Sequence, residues 1–327
     1  MSLVAWSDTA LSRRLGLRVP IVQAPMAGGP STPRLAAAVT EAGGLGSVAG
    51  APLAPGALRD AIREVRSLTD GPFAVNLFAP LPPPTWDRTD EWAEVTGAVV
   101  PDAPRLARFE DQLEVVVEQR VPVFSWTFGL PPLDGVDAFT IGTATTVEEA
   151  LALEAGGAQA VVAQGYEAGG HRATFLGEVS QSLVGTLALV PQVVDAVSVP
   201  VLASGGIMDG RGIVAARALG AQGVQLGTAF LNTDEAGTSP QHRAALVQHT
   251  TVTRVLTGRA ARAVRTSMVD RLEASGVEPP DYPLPRAYQA EPPMLAGQGG
   301  PMARSCPAGR LVGILAAEAD AAVAGLV

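Results

Sequence analysis

Short apolar runs alternate with longer stretches of helical spacing from residue 21 onward. The spacing predicts strands over Ile21–Ala27, Gly44–Ala49, Phe73–Phe78, Val121–Trp126, Ala138–Thr143, Ala160–Gln164, Val199–Ser204 and Gly223–Leu226. Between them it predicts helices over Pro33–Ala42, Ala57–Leu68, Arg108–Glu118, Thr146–Ala155, Leu187–Ala196 and Gly212–Leu219. The strand runs stay apolar instead of alternating with polar residues. Strands of that kind are covered on both faces, as parallel strands flanked by helices are. Eight such units within about 230 residues match the size of a (β/α)8 barrel, typically about 250 residues. A doubly wound open sheet would call for GxGxxG directly after the first strand. The chain instead reads Ala24-Pro25-Met26-Ala27-Gly28-Gly29, so the barrel is favoured.

The pattern changes after the eighth strand. Residues 232–276 read as two or three helices, the first opening at Ser239-Pro240 with proline at its first position. From Glu278 to Pro307 the chain is rich in proline and glycine, and Gly309–Val327 reads as a closing amphipathic helix. The expected organisation is a barrel formed by residues 1–230 and 309–327, with residues 231–308 as an inserted helical cap. Pro80–Pro84 should form a loop beside the barrel mouth.

Composition narrows the chemistry. All 23 basic residues are arginine, so the chain has no lysine, which excludes a Walker A phosphate lysine, a Schiff-base lysine and pyridoxal phosphate enzymes. A net charge of −9 without a clustered basic face argues against nucleic acid. One cysteine, Cys306, makes no internal disulfide, and with three histidines (His171, His242, His249) no metal site is expected. His242 and His249, seven apart, are read as packing or solvent-facing residues on one helix face, and Cys306 is assigned no role. The N-terminal MSLVAWSDTALSRRLG lacks the apolar core of a signal peptide, and no apolar run is long enough to span a membrane, so a cytoplasmic location is expected.

Active sites of (β/α)8 barrels lie at the C-terminal ends of the strands. The seventh predicted strand ends Ala203-Ser204-Gly205-Gly206-Ile207 and the eighth ends Gln225-Leu226-Gly227-Thr228. Glycines there can simply make turns, or they can let backbone N–H groups approach a phosphate, which this fold commonly holds after these two strands. The sixth strand ends in Gln164-Gly165-Tyr166-Glu167-Ala168-Gly169-Gly170-His171-Arg172. His171 is either a structural histidine or, beside an open Gly-Gly turn, a group suited to proton abstraction. Asn76 places an amide in an otherwise apolar strand and needs partners, either a neighbouring loop or a planar ligand. Ser125 and Thr127 carry the same two readings.

These residues resemble the nitronate monooxygenase family, formerly called 2-nitropropane dioxygenases. The similarity rests on Val22-Gln23-Ala24-Pro25-Met26-Ala27-Gly28 with Ser31-Thr32-Pro33, on Val75-Asn76-Leu77-Phe78, on Phe124-Ser125-Trp126-Thr127-Phe128-Gly129 and above all on Gln164 through Arg172. It extends from about residue 15 to Ala296-Gly297-Gln298-Gly299. The resemblance implies a flavin enzyme with non-covalent FMN that oxidises alkyl nitronates with O2 to a carbonyl compound and nitrite, without NAD(P)H. It would place Gln23, Ala24 and Met26 near the flavin ring, with Asn76 and Gln164 hydrogen-bonding the ring or its ribityl chain. Gly169 and Gly170 would approach from the sixth strand. Ser204, Gly205, Gly206, Gln225, Leu226, Gly227 and Thr228 would serve the phosphate end. His171 matches the family's catalytic base, and Ser125, Thr127, Tyr166 and Gln298 would line the substrate. The partners implied are a small-molecule substrate and O2, and a homo-oligomer is compatible with the sequence.

The chain departs from the family pattern at Ala173-Thr174, where glycine usually follows His-Arg, at Thr127 and at Leu295. These positions bear on substrate preference. Two rival functions share the scaffold. Flavin-dependent enoyl-acyl-carrier or quinone reductases carry similar turns and need a site for NAD(P)H, which Arg254, Arg259, Arg262 and Arg265 could serve; these arginines are otherwise read as a solvated helix face. A non-catalytic FMN- or phosphate-binding sensor is the other rival, and His171 argues against it.

Overall fold

The computed structural model describes residues 5–85, 87, 89–99, 107–289 and 292–326. Its strands in chain order are β1 (Ile21–Gln23), β2 (Gly46–Ala49), β3 (Phe73–Phe78), β4 (Val123–Thr127), β5 (Phe139–Ala144), β6 (Ala160–Gln164), β7 (Gly170–His171), β8 (Val201–Ser204), β9 (Gly223–Leu226), β10 (Thr250–Thr253) and β11 (Ala261–Val264). Eight of them form one parallel sheet in the order β1-β9-β8-β6-β5-β4-β3-β2. A parallel bridge between Val22 and Leu45 joins its two ends, and the sheet closes into a (β/α)8 barrel. The predicted helices surround it, running Pro33–Glu41, Pro55–Leu68, Phe109–Glu118, Val147–Ala155, Thr186–Ala196 and Gly210–Ala218. β4 and β5 are joined without a helix, through Leu130-Pro131-Pro132. The terminal helix, Ala308–Ala324, packs against the helices of residues 210–218 and 33–41 and covers the seam.

Strand register separates the two faces of the barrel wall. Ala74, Val123, Ile141, Val162 and Leu202 are joined by register pairs or shared packing and form an inner apolar layer with Val22 and Leu45. Leu11, from the short helix Ala10–Leu15, packs into this layer and plugs the end opposite the mouth. Their neighbours along each strand, such as Val75, Phe124 and Val161, belong to the larger core beneath the helices. Two residues further along each strand the inward face turns polar, with Asn76, Ser125, Thr143, Gln164, Ser204 and Gln225. The side-chain period of two therefore builds an apolar floor with a polar ring above it at the C-terminal ends.

The segment after β9 differs from the all-helical reading of residues 232–276. Helices occupy Pro240–Ala245, opened by Ser239 as expected, and Ser267–Ala274. Between them β10 and β11 form an antiparallel hairpin, and β11 pairs with β7 beside the mouth. Thr250-Thr251-Val252-Thr253 is a run of β-branched residues that favours a strand. His242 and His249 consequently do not share a helix face. His242 lies in the first helix, buried, with Nε2 3.1 Å from the Leu295 carbonyl, and His249 precedes β10. Among the described residues no helix is long and apolar enough to cross a membrane.

Candidate active site

The polar ring sorts into two halves. On one side Asn76 Nδ2 donates to Ser125 Oγ at 3.1 Å, joining neighbours in register across β3 and β4. On the other, Gln164, Ser204 and Gln225 stand side by side on β6, β8 and β9. The Ser204 and Gln225 side chains find no hydrogen-bond partner among the described residues. Gln164 is committed to the backbone of the loop that follows it. Its Nε2 donates to the His171 carbonyl and its Oε1 accepts from the Ala173 N–H, both at 3.0 Å. Gln23 is likewise spent inside the protein: fully buried, it accepts from the Ser47 N–H at 2.8 Å and donates to Ser31 Oγ and the Ala24 carbonyl. Ser31 also accepts from the Met26 N–H, and the Ala24 N–H bonds the Leu226 carbonyl, so the loop after β1 is tied to the end of β9.

The glycine turns have the properties of an anion cradle. Gly205 and Gly206 adopt φ of +116° and +73°, which L side chains rarely take. The N–H groups of Gly206, Gly227 and Thr228 meet no acceptor among the described residues. Thr228 Oγ1 instead accepts from the Gly297 N–H at 2.9 Å, and the Gln298 N–H bonds the Glu167 carbonyl at 3.0 Å. The Ala296–Gly299 loop is thereby fastened over the ends of β6 and β9. Its approach is close: a Cβ on Gly169 would lie 2.4 Å from the Gly297 nitrogen. Gln298 itself is exposed, and Thr127 lies at the end of β4, its carbonyl accepting from the Ala79 N–H.

His171 sits on β7, held from behind by its pairing with Ala261 and by Gln164. Phe78, Phe128 and Tyr282 surround the imidazole edge-on, with ring centroids 6.2, 5.8 and 5.4 Å away. Burial among these rings, and secondarily the Arg259 charge, lower the His171 pKa to about 4. The imidazole is neutral at physiological pH. Tyr282 is raised to about 12 by burial and stays a phenol. Phe128 holds a φ of +78°, unusual for an aromatic residue, where its ring receives the Arg259 guanidinium 4.1 Å above its centroid.

The arginines set aside as a solvated helix face lie on the hairpin and in its loop. Arg262, on β11, is fully buried. It stacks 4.2 Å over Tyr166, and its Nε donates to the Tyr166 carbonyl at 3.0 Å. Pairing of β11 with β7 carries it inward, a long-range contact invisible to local spacing. Arg254 and Arg265 are surface residues paired with Glu278 and Asp270.

Sequence reasoning missed several supporting groups. Arg172 is buried and donates to the Gly165, Gln164 and Ser182 carbonyls. Glu149 is buried and accepts from Thr145 and from the Phe175 and Leu176 N–H groups. Glu167 accepts from the N–H and hydroxyl of Thr186 at the start of the helix after β6. Arg172 and Glu167 lie in the motif but were given no role, and Glu149 on the helix Val147–Ala155 carried no signal. Thr257, 3.0 Å from His171 Nε2, carried no local signal at all.

Comparison with known proteins agrees with this architecture. The family model "Nitronate monooxygenase" matches residues 11–312. The chain is 41% identical over 300 residues to a probable nitronate monooxygenase of Staphylococcus saprophyticus, covering 85% of this chain and 84% of that protein. It is 40% identical to another from Bacillus subtilis, covering 83% of each. Among solved structures, nitroalkane oxidase from Streptomyces ansochromogenes superposes with a TM-score of 0.89 at 39% identity, over 97% of this chain and all of the other. FabK from Thermotoga maritima superposes with a TM-score of 0.76 at 30% identity, over 98% of both chains. The chain is an oxidoreductase and belongs to the nitronate monooxygenase family.

Proposed function

We propose that the protein binds FMN across its barrel mouth and oxidises alkyl nitronates with O2 to a carbonyl compound and nitrite, with His171 as the base that converts neutral nitroalkanes to nitronates. The observation that carries this reading is a neutral, aromatic-walled imidazole on β7, on the same mouth as a glycine cradle whose Gly206, Gly227 and Thr228 N–H groups meet no acceptor among the described residues. The cradle fits a phosphate: Gly206, Gly227 and Thr228 would donate to it, and Ser204 and Gln225 offer unspent polar groups beside it. Asn76 and Ser125 stand across the ring, where a planar ligand's polar edge would meet them. FMN, once bound, supplies the one-electron acceptor that the protein's own side chains lack.

The remaining work falls to residues of this chain. Phe78, Phe128 and Tyr282 wall the half-buried His171 and limit the water that competes for its lone pair. A nitroalkane bound beside His171 would present an acidic C–H, and His171 takes that proton and holds it. Arg259, with one N–H on the Thr174 carbonyl and its plane on Phe128, adds positive charge where the nitronate's negative charge develops. Residues 231–308 would act as the covering unit, with Thr85 in the loop after β3 meeting Asp281 through two hydrogen bonds of 3.0 and 2.9 Å.

A preformed nitronate needs no base. The expected result for His171→Asn is a loss on neutral nitroalkanes at least ~100-fold greater than the loss on preformed nitronates, in steady-state assays of both. Equal losses would contradict the assignment. A second reading, an NAD(P)H-using reductase, is favoured by the positive charge of Arg259 beside His171. Anaerobic reduction of the bound flavin by NADPH would establish it.

A further inference from the structure

We infer that Thr257 is a positioning residue that fixes the tautomer of His171, placing the proton on Nε2 and leaving Nδ1 as the basic atom. Thr257 Oγ1 lies 3.0 Å from His171 Nε2 and also 3.0 Å from the Arg259 carbonyl oxygen. A threonine hydroxyl has one hydrogen to donate and lone pairs to accept with. The carbonyl can only accept, so the hydroxyl proton goes to Arg259. What Thr257 then offers His171 is a lone pair, and the matching imidazole is the one protonated at Nε2. Nδ1 carries no hydrogen bond among the described residues, and it is not among the fully buried atoms that lack a partner. It remains open to an incoming molecule.

The two ends of this relay are fixed independently. Thr257 is buried in the loop between β10 and β11, and that hairpin is zipped to β7 by the Ala261–His171 and Arg262–Gly170 pairs. Histidine, threonine and the Arg259 carbonyl therefore belong to one three-stranded unit. Among the described residues no other group facing the ring hydrogen-bonds it. Phe78 and Phe128 have no polar atoms, Tyr282 meets it ring edge to ring, and Arg259 lies over Phe128 with an N–H on the Thr174 carbonyl. A donor arriving on the Nδ1 side would need a lone pair there, and so would favour the same tautomer, with the proton on Nε2.

The inference rests on His171 as the base, and its test separates the two. Long-range proton–nitrogen correlation spectra of protein labelled with ¹⁵N-histidine report the tautomer directly. Only three histidines contribute, and His171→Asn identifies the relevant signals. The expected spectrum shows protonated Nε2 and unprotonated Nδ1 for His171 at pH 7, becoming mixed in Thr257→Val and restored in Thr257→Ser. In parallel, Thr257→Val should lower kcat on neutral nitroalkanes at least ~10-fold more than on preformed nitronates, with Thr257→Ser recovering the difference. Protonated Nδ1 in the wild type, or an unchanged tautomer in Thr257→Val, would overturn the inference whatever the kinetics. Should the base assignment itself fail, His171→Asn would show equal losses on both substrates while the wild-type spectrum still displayed the Nε2 proton.

Discussion

At the residue scale the site depends on keeping one imidazole neutral. The lowered His171 pKa has a consequence for both activity and stability. A group whose folded pKa lies below its ordinary value near 6.5 resists protonation in the native state while the unfolded chain accepts the proton. Its contribution is complete above about pH 6.5 and is lost as pH falls toward 4. The loss is on the order of 3 kcal/mol at full protonation of the unfolded histidine. Urea midpoints of the wild type should therefore fall more steeply between pH 6.5 and 4 than those of His171→Asn. The acid limb of kcat/KM for neutral nitroalkanes should sit near pH 4 to 5, and a limb near 6.5 would show an unshifted histidine. The candidate histidine was legible because its motif is local and specific. Its neutralising environment was not, since Phe78, Phe128, Arg259 and Tyr282 come from segments far apart in sequence.

At the element scale the continuous apolar runs announced all eight barrel strands, because burial on both faces leaves a signature in sequence that turns and tertiary partners do not disturb. The hairpin was missed for a complementary reason. Ala261-Arg262-Ala263-Val264 has the composition of a helix, and what makes it a strand is its pairing with β10 and with the two residues of β7. The short plug helix Ala10–Leu15 carried too few turns to show a period. Asn76 and Ser125, by contrast, stood out as polar residues in apolar strands, and the structure pairs them in register with a hydrogen bond between their side chains. The loop of residues 296–299 locks this face by backbone contact, which no spacing rule exposes. Gly169→Ala should displace that loop, because the added Cβ would meet main-chain atoms of Ala296 and Gly297 within 3.0 Å. The expected cost is roughly 1–3 kcal/mol in urea unfolding, together with weaker flavin retention on gel filtration. Unchanged stability and retention would show that the loop yields freely.

At the scale of the whole molecule, floor, ring and hairpin each follow from a different part of the chain. The inner apolar layer closes one end, the polar ring opens at the other, and the hairpin of residues 250–264 attaches to β7 beside it. That arrangement brings a neutral imidazole and a cradle of unpaired N–H groups to the same mouth, and the central claim is that they serve nitronate oxidation through bound FMN. The most direct measurement is anaerobic mixing of the purified flavin-loaded protein with an alkyl nitronate and, separately, with NADPH, followed by visible absorbance. Rapid loss of the oxidised flavin band with nitronate, and no change with NADPH, is the predicted result. Bleaching by NADPH with indifference to nitronate would contradict the account and make the protein a reductase on the same barrel.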